Sequence, residues 1–161
     1  MRILSIGNSF SSDAHRWIHD LSVAGGHPIE TVNLYIGGCS LKQNNTADYL
    51  LEVNGVAVRE GVTLLDTLRD GSYDVVTLQQ VSSASGLLTS YTPYADDLAD
   101  LIREEQPEAD VVIHQTWAYD NDSEHELFIA YNRSQDMMYD KLSKAYDIMA
   151  MAIDAKVIPS G

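Results

Sequence analysis

The chain has 161 residues, 45% of them hydrophobic, which is enough to bury a core as one domain. A net charge of −14 argues against nucleic acid or anionic membranes as partners, because both bind through exposed lysine and arginine. No stretch of about 18 apolar residues could span a bilayer. The apolar run after Met1 is too short for a secretory signal, so we expect a cytoplasmic protein.

Predicted strands and helices alternate from the N-terminus onward. Apolar runs predict strands over 2–6, 29–36, 73–79, 110–114 and 156–158. Helical periodicity predicts helices over 12–24, 63–70, 93–105 and 125–154. Asn54-Gly55 separates two alternating runs within 49–60, which predicts a hairpin. The alternation favours a mostly parallel, doubly wound sheet of five strands.

Two of these helices carry end or face signals. Ser11 or Ser12 is the expected N-cap of the first helix, and Pro93 suits the first position of the third. The first helix is expected to bury a stripe of apolar side chains: Trp17, Ile18 and Leu21.

Four apolar strands end in short polar segments rich in small residues. In open parallel sheets, ligands bind at the carboxyl ends of the strands. These ends therefore mark the candidate site: 7–11, 37–40, 79–82 and 114–117.

The chemistry at three of these ends has more than one interpretation. Ser9 is either a nucleophile or a helix-capping residue. If it is a nucleophile, backbone N–H groups at the helix start could stabilise the oxyanion formed during the reaction. Gly37 and Gly38 either let a ligand approach the backbone or form an ordinary turn. Gln79 and Gln80 either donate to an oxyanion or bond to neighbouring loops.

Four motifs together resemble the SGNH (GDSL-like) hydrolase superfamily, and more closely a bacterial branch of it known as a domain of unknown function. They occur in the family's order and cover essentially the whole chain: IGNSFS at 6–11, NLYIGGCSL at 33–41, LQQVSS at 78–83 and HQTWAY at 114–119. The resemblance implies a flavodoxin-like three-layer α/β/α sandwich. It also implies hydrolysis of carboxylic esters without a cofactor or metal, through an acyl-enzyme on Ser9.

The resemblance also implies roles for further residues. The N–H groups of Ser9 and Gly38 would bind the oxyanion. The superfamily's third motif supplies an Asn as the last donor, but this chain has Gln79 and Gln80 there, and we favour Gln80. The expected substrate is a small-molecule or carbohydrate ester, because family members often deacetylate carbohydrates. The residues expected to contact it are Asn8, Gln79, His114 and Trp117.

The superfamily's late Asp-x-x-His motif, which carries the base, does not occur before Gly161. A serine needs such a base to lose its proton. The chain is therefore a fragment, a degenerate hydrolase, or an enzyme in which another histidine substitutes. His114 is the best substitute, although it could equally be structural or contact substrate, and His15 is expected at the surface.

These observations predict one domain over 1–161 that lacks its last helix and final catalytic motif. Such a domain would expose apolar surface and could form a homo-oligomer. Cys39 is either a nucleophile or, as we favour, a small buried residue. Two non-catalytic alternatives stay open: a module that binds phosphate or flavin through the same fold, and a degenerate hydrolase that binds acylated sugars.

Overall fold

The computed structural model describes residues 1–44 and 48–161. Three short 3₁₀ helices, Ser82–Ala84, Leu88–Ser90 and Glu126–Tyr131, lie in its loops. The remaining elements, in chain order, are β1 (Arg2–Gly7), α1 (Ser9–Ala24), β2 (Glu30–Tyr35), β3 (Tyr49–Val53), β4 (Val56–Val62), α2 (Leu64–Asp70), β5 (Val75–Leu78), α3 (Tyr94–Glu105), β6 (Asp110–His114), α4 (Gln135–Ala152) and β7 (Lys156–Ile158).

The strands form one sheet in the order β4-β3-β2-β1-β5-β6-β7. Five neighbouring strands run parallel, as the sequence predicts: β2, β1, β5, β6 and β7. The predicted hairpin is also present, but it joins the sheet at β2 with antiparallel pairing, so the sheet has seven strands rather than five. Asn54 and Gly55 at its tip both have positive φ, as a two-residue hairpin turn requires.

Helices cover both faces of the sheet, which gives the predicted three-layer α/β/α sandwich. The face covered by α2, α3 and α4 is apolar, and its strand residues belong to the hydrophobic core: Leu4, Ile6, Val32, Leu34, Val76, Leu78, Val111 and Ile113. The other face is covered by α1, which contacts β1 and β2. In the described parts of the chain, no helix has the length and apolar character needed to cross a membrane.

Two predictions about α1 are wrong. Asn8 is its N-cap, so the helix begins at Ser9, three residues earlier than expected. Two of the three residues of the predicted apolar stripe face outward, since Trp17 is 54% exposed and Leu21 is 69% exposed, whereas Ile18 is partly buried. The residues that the helix fully buries are Phe10, Ser11 and His15, and the polar sheet surface beneath it provides His15 with a hydrogen-bond partner in Ser5.

Two other helix predictions also need correction. The helix predicted over 125–154 is interrupted, because Asn132 and Arg133 adopt positive φ between the 3₁₀ helix and α4. Ser134 then caps α4 by accepting from the N–H of Met137. Pro93 occupies the N-cap of α3 instead of its first helical position.

Candidate active site

Ser9 is exposed at the first position of α1, immediately after the end of β1. Asn8 caps the helix, and its side-chain Oδ1 accepts from the N–H of Phe10 at 3.2 Å. The N–H groups of a first helical turn have no partner within the helix, and the helix dipole favours negative charge beside them. The start of α1 can therefore stabilise an anion that forms on a group attached to Ser9 Oγ.

A tight turn after β2 lies beside this helix start. The N–H of Cys39 donates to the Ile36 carbonyl at 3.2 Å, and Gly38 has a φ of 67°. Asn8 ties the turn to α1, since its Nδ2 donates to the Cys39 carbonyl at 2.9 Å. This hydrogen bond brings the turn that contains Gly38 next to the start of α1.

Gln80 lies on the opposite side of the sheet from Gln79 and is 1% exposed. Its Oε1 accepts from the N–H groups of Leu41 and Val81, and its Nε2 donates to the carbonyl and hydroxyl of Ser90. Every hydrogen-bonding position of this amide is occupied, so the predicted role as third oxyanion donor does not fit the structure. Gln80 instead anchors the segment that follows the glycine turn.

Asn8, Gln79 and His114, predicted to contact substrate, are brought together but lie buried. Gln79 Nε2 donates to Asn8 Oδ1 at 2.6 Å, and Gln79 Oε1 lies 3.2 Å from His114 Nδ1. Burial lowers the pKa of His114 below its ordinary value, so the ring is neutral at pH 7. These three side chains support the site from beneath rather than line it.

The surface around Ser9 is polar on one side and aromatic on the other. An open depression beside it is lined by Ser12, Asp13, Arg16, Tyr35 and Gly55 as well as Ser9. On the aromatic side, Trp117 is 45% exposed and packs edge-to-face on Phe10, with ring centroids 4.1 Å apart. Of the four predicted substrate contacts, only Trp117 is exposed, and it packs on Phe10, the residue after Ser9.

Within residues 1–44 and 48–161, no histidine forms a hydrogen bond to Ser9 Oγ. His114 is held by Gln79 in the layer between α1 and the sheet, so the prediction that it replaces the missing base does not fit its position. Within the described chain, Ser9 has a helix start and a glycine turn beside it, but no histidine is hydrogen-bonded to its Oγ.

His15, expected at the surface, is 2% exposed and reaches the sheet beneath α1. Its Nε2 lies 2.7 Å from Ser5 Oγ, which accepts from Thr77 Oγ1 at 2.8 Å. Burial, and secondarily the nearby His114, lower the pKa of His15 to about 4. Both imidazoles border a cavity of about 180 Å³ that Ser9 does not line.

Cys39 is 1% exposed, in agreement with the interpretation as a small buried residue. Burial raises the pKa of its thiol to about 11, which leaves almost no thiolate at neutral pH. Its Sγ donates to Asn44 Oδ1 at 2.9 Å. The Cys39 side chain is thus a structural part of the turn.

Sequence reasoning missed the polar layer under α1, although the sequence contains a signal for it. Ser5, Asn33 and Thr77 interrupt otherwise apolar strands at positions that point to one face. Such polar side chains need buried partners, and the histidine on the facing helix is the natural candidate.

Several solved structures with this fold carry the names of hydrolases. One is a protein assigned to the SGNH hydrolases from Slackia heliotrinireducens, with a TM-score of 0.69 and 22% identity over 98% of this chain and 77% of that one. Another is a carbohydrate acetylesterase family member from Sinorhizobium meliloti, with a TM-score of 0.60 and 14% identity over 98% of this chain and 81% of that one. The fold is therefore that of the SGNH hydrolases.

The family match is more specific. The model of the family "Domain of unknown function (DUF4886)" matches residues 2–161, and the chain belongs to that family. A DUF4886 protein from Bacteroides uniformis has a TM-score of 0.94 and 33% identity over 100% of this chain and 67% of its own. Together with the fold, this confirms the predicted branch of the SGNH superfamily. A search of curated proteins finds no match to the sequence.

Proposed function

We propose that this protein hydrolyses carboxylic esters through an acyl-enzyme on Ser9. The observation that carries the proposal is that Ser9 is exposed at the first position of α1, while the preceding residue, Asn8, binds the glycine turn through its side chain. Ser9 Oγ would attack the ester carbonyl, and the N–H groups of Ser9 and Gly38 would bind the oxyanion. The alcohol would then leave, and water would release the acid.

The general base for this reaction lies outside the described residues. Residues 1–44 and 48–161 contain no histidine bonded to Ser9, and the Bacteroides uniformis protein extends beyond the part that this chain matches. A histidine supplied by further chain or by a second molecule would take the proton from Ser9 and return it to the leaving alcohol.

The acyl group that this site favours is short. The depression beside Ser9 is wide open to solvent and lined by polar side chains, whereas the more enclosed, apolar cavity lies elsewhere under α1. A long acyl chain would remain in water next to Ser12, Asp13 and Arg16, so its apolar surface would contribute little binding energy. The exposed ring of Trp117 could stack on a sugar. An acetylated carbohydrate therefore fits the site best.

Hydrolysis of nitrophenyl esters of two to eight acyl carbons tests this proposal, with imidazole added as a diffusible base. We expect imidazole-dependent turnover of the acetate that exceeds turnover of the octanoate and disappears in Ser9→Ala. Trp117→Ala should raise KM for acetylated oligosaccharides while Trp17→Ala, the other exposed tryptophan, should not. Equal rates for the parent and Ser9→Ala would refute the proposal.

The lack of a described base at Ser9 favours one alternative, a module that binds acylated sugars without hydrolysing them. Calorimetric titration with acetylated oligosaccharides separates the two functions. Binding without turnover, at any imidazole concentration, would support the binding module. Turnover that depends on Ser9 would exclude it.

A further inference from the structure

A continuous chain of hydrogen bonds runs beneath Ser9 from the backbone of the glycine turn to His114. The Cys39 carbonyl accepts from Asn8 Nδ2 at 2.9 Å, and Asn8 Oδ1 accepts from Gln79 Nε2 at 2.6 Å. Gln79 Oε1 then lies 3.2 Å from His114 Nδ1. All three side chains are at least nine-tenths buried, so water does not compete for these bonds.

The backbone fixes the direction of every bond in this chain. Asn8 faces a carbonyl that only accepts, at Cys39, and an N–H that only donates, at Phe10. Its Oδ1 and Nδ2 positions are therefore determined. Gln79 must present its NH₂ group to Asn8 Oδ1, which leaves its own carbonyl facing His114. The ring must then carry a proton on Nδ1.

We infer that Gln79 is a positioning residue for Ser9: it holds Asn8 in the single orientation that both caps α1 and binds the glycine turn, and it keeps the proton of His114 on Nδ1. The inference rests on the proposed function only in its consequence for Ser9. Gln79 touches neither Ser9 nor the surface, so it acts through Asn8.

Gly7 provides independent support for this role. A Cβ atom at Gly7 would lie 2.7 Å from Gln79 Cδ and 2.7 Å from Ser11 Oγ, closer than real contacts allow. The last residue of β1 thus leaves the space that the Gln79 amide occupies. A side chain at residue 7 would displace the central member of the chain.

Three titratable groups face this polar layer from the surrounding elements. His114 belongs to β6, His15 reaches in from α1, and Glu52 on β3 accepts from Asn33 at 2.7 Å. Gln79 bonds directly to His114 alone among them. The effects of the Asn8 contact and the His114 contact can therefore be measured separately, with substitutions of Gln79 that either keep or remove the oxygen that accepts from His114.

Two variants separate the two contacts. Gln79→Leu removes both, whereas Gln79→Glu keeps an acceptor for His114 but turns a carboxylate oxygen toward Asn8 Oδ1. We expect both variants to slow the labelling of Ser9 by a fluorophosphonate about tenfold, as loss of one buried hydrogen bond implies. Only Gln79→Leu should release the proton of His114 from Nδ1.

The pH dependence of Gln79→Glu adds a readout that general destabilisation would not produce. As the pH falls and the new carboxyl takes up a proton, its O–H can donate to Asn8 Oδ1 again. The deficit relative to the parent should therefore shrink toward acid pH in Gln79→Glu and stay constant in Gln79→Leu. Gln106→Leu is the matched control and should label at the parental rate, because Gln106 bonds to Gly71 and Tyr73 at the opposite end of the parallel strands.

Long-range ¹H–¹⁵N correlation spectra of the histidine rings need no catalysis, so they judge the inference even if Ser9 proves unreactive. We expect a protonated Nδ1 on His114 in the parent, and faster amide exchange at Phe10 in both Gln79 variants. A proton on Nε2 of His114 in the parent would overturn the inference. So would a Gln79→Leu variant that is folded and leaves the His114 ring, the Phe10 amide and the labelling rate unchanged.

Discussion

The two faces of the sheet differ in chemistry and in purpose. The face under α2, α3 and α4 consists of aliphatic side chains in contact with one hydrophobic cluster. The face under α1 carries hydroxyls, amides and an imidazole at the alternate positions of the same strands: Ser5, Thr31, Asn33, Thr77, Gln79 and His114. Adjacent residues of one strand therefore serve different functions.

This difference teaches how the protein separates stability from site geometry. Apolar burial is non-directional, so the face under α2 to α4 can tolerate small shifts in packing. Hydrogen bonds are directional, so the face under α1 holds Asn8 and the glycine turn in one arrangement. Gln79 and Gln80 lie on opposite faces and anchor the same loop. Gln79 does so through Asn8, which binds the Cys39 carbonyl, and Gln80 accepts directly from the N–H of Leu41.

The largest expected effect is on the apolar face. Leu4→Ala should lower the free energy of unfolding by about 2–5 kcal/mol, because Leu4 is fully buried in the core. Ser5→Ala, at the next residue on the other face, should cost about 1–3 kcal/mol because it leaves His15 without its partner. Denaturant unfolding measures both. A smaller loss for Leu4→Ala than for Ser5→Ala would contradict the division between the faces.

The polar face should make the protein sensitive to acid. The pKa of His15 falls from 6.5 to about 4 on folding, so between these values the unfolded chain binds the extra proton. The free energy of unfolding is therefore highest above pH 6.5 and decreases by about 3 kcal/mol as the pH falls toward 4.

Unfolding free energies at pH values between 7 and 4 test this expectation. His15→Gln keeps a polar side chain without a titrating ring, so its stability should fall less steeply. Some slope should remain, because burial also lowers the pKa of His114. Parallel curves for the parent and His15→Gln would show that His15 does not titrate in this way.

The smallest expected effect separates site geometry from stability at two glycines. Gly38 and Gly26 both have positive φ, at 67° and 77°, and a Cβ atom would meet no neighbour within 4 Å at either. Alanine at each should cost about 1–2 kcal/mol from backbone strain alone. Only Gly38→Ala should slow the labelling of Ser9, because Gly26 lies at the far end of α1. Equal labelling of the two variants would remove Gly38 from the proposed oxyanion site.

The sequence predicts the sheet well because the apolar strand runs leave few alternatives. The five parallel strands and the hairpin at Asn54-Gly55 follow from local patterns. The position of Ser9 at the carboxyl end of β1 follows from the strand-to-helix transition alone.

The roles of individual polar residues could not be predicted in the same way. Whether Gln79 or Gln80 points to the face under α1 depends on a one-residue difference in the end of β5, because the two point to opposite faces. The burial of His15 depends on the polar sheet surface opposite, which is a tertiary contact between α1 and residues Ser5 and Thr77. The prediction that Trp17 is buried was wrong, because apolar periodicity alone does not show which face of a helix packs against the sheet.

The most direct test of the account is the intact mass of the protein after treatment with a fluorophosphonate, in the presence of imidazole. We predict one adduct on the parent and none on Ser9→Ala. Ser72→Ala is the control, because Ser72 is exposed at the amino end of β5, and it should still form the adduct. An adduct that survives Ser9→Ala, or no adduct on the folded parent, would contradict the assignment of Ser9 as the nucleophile.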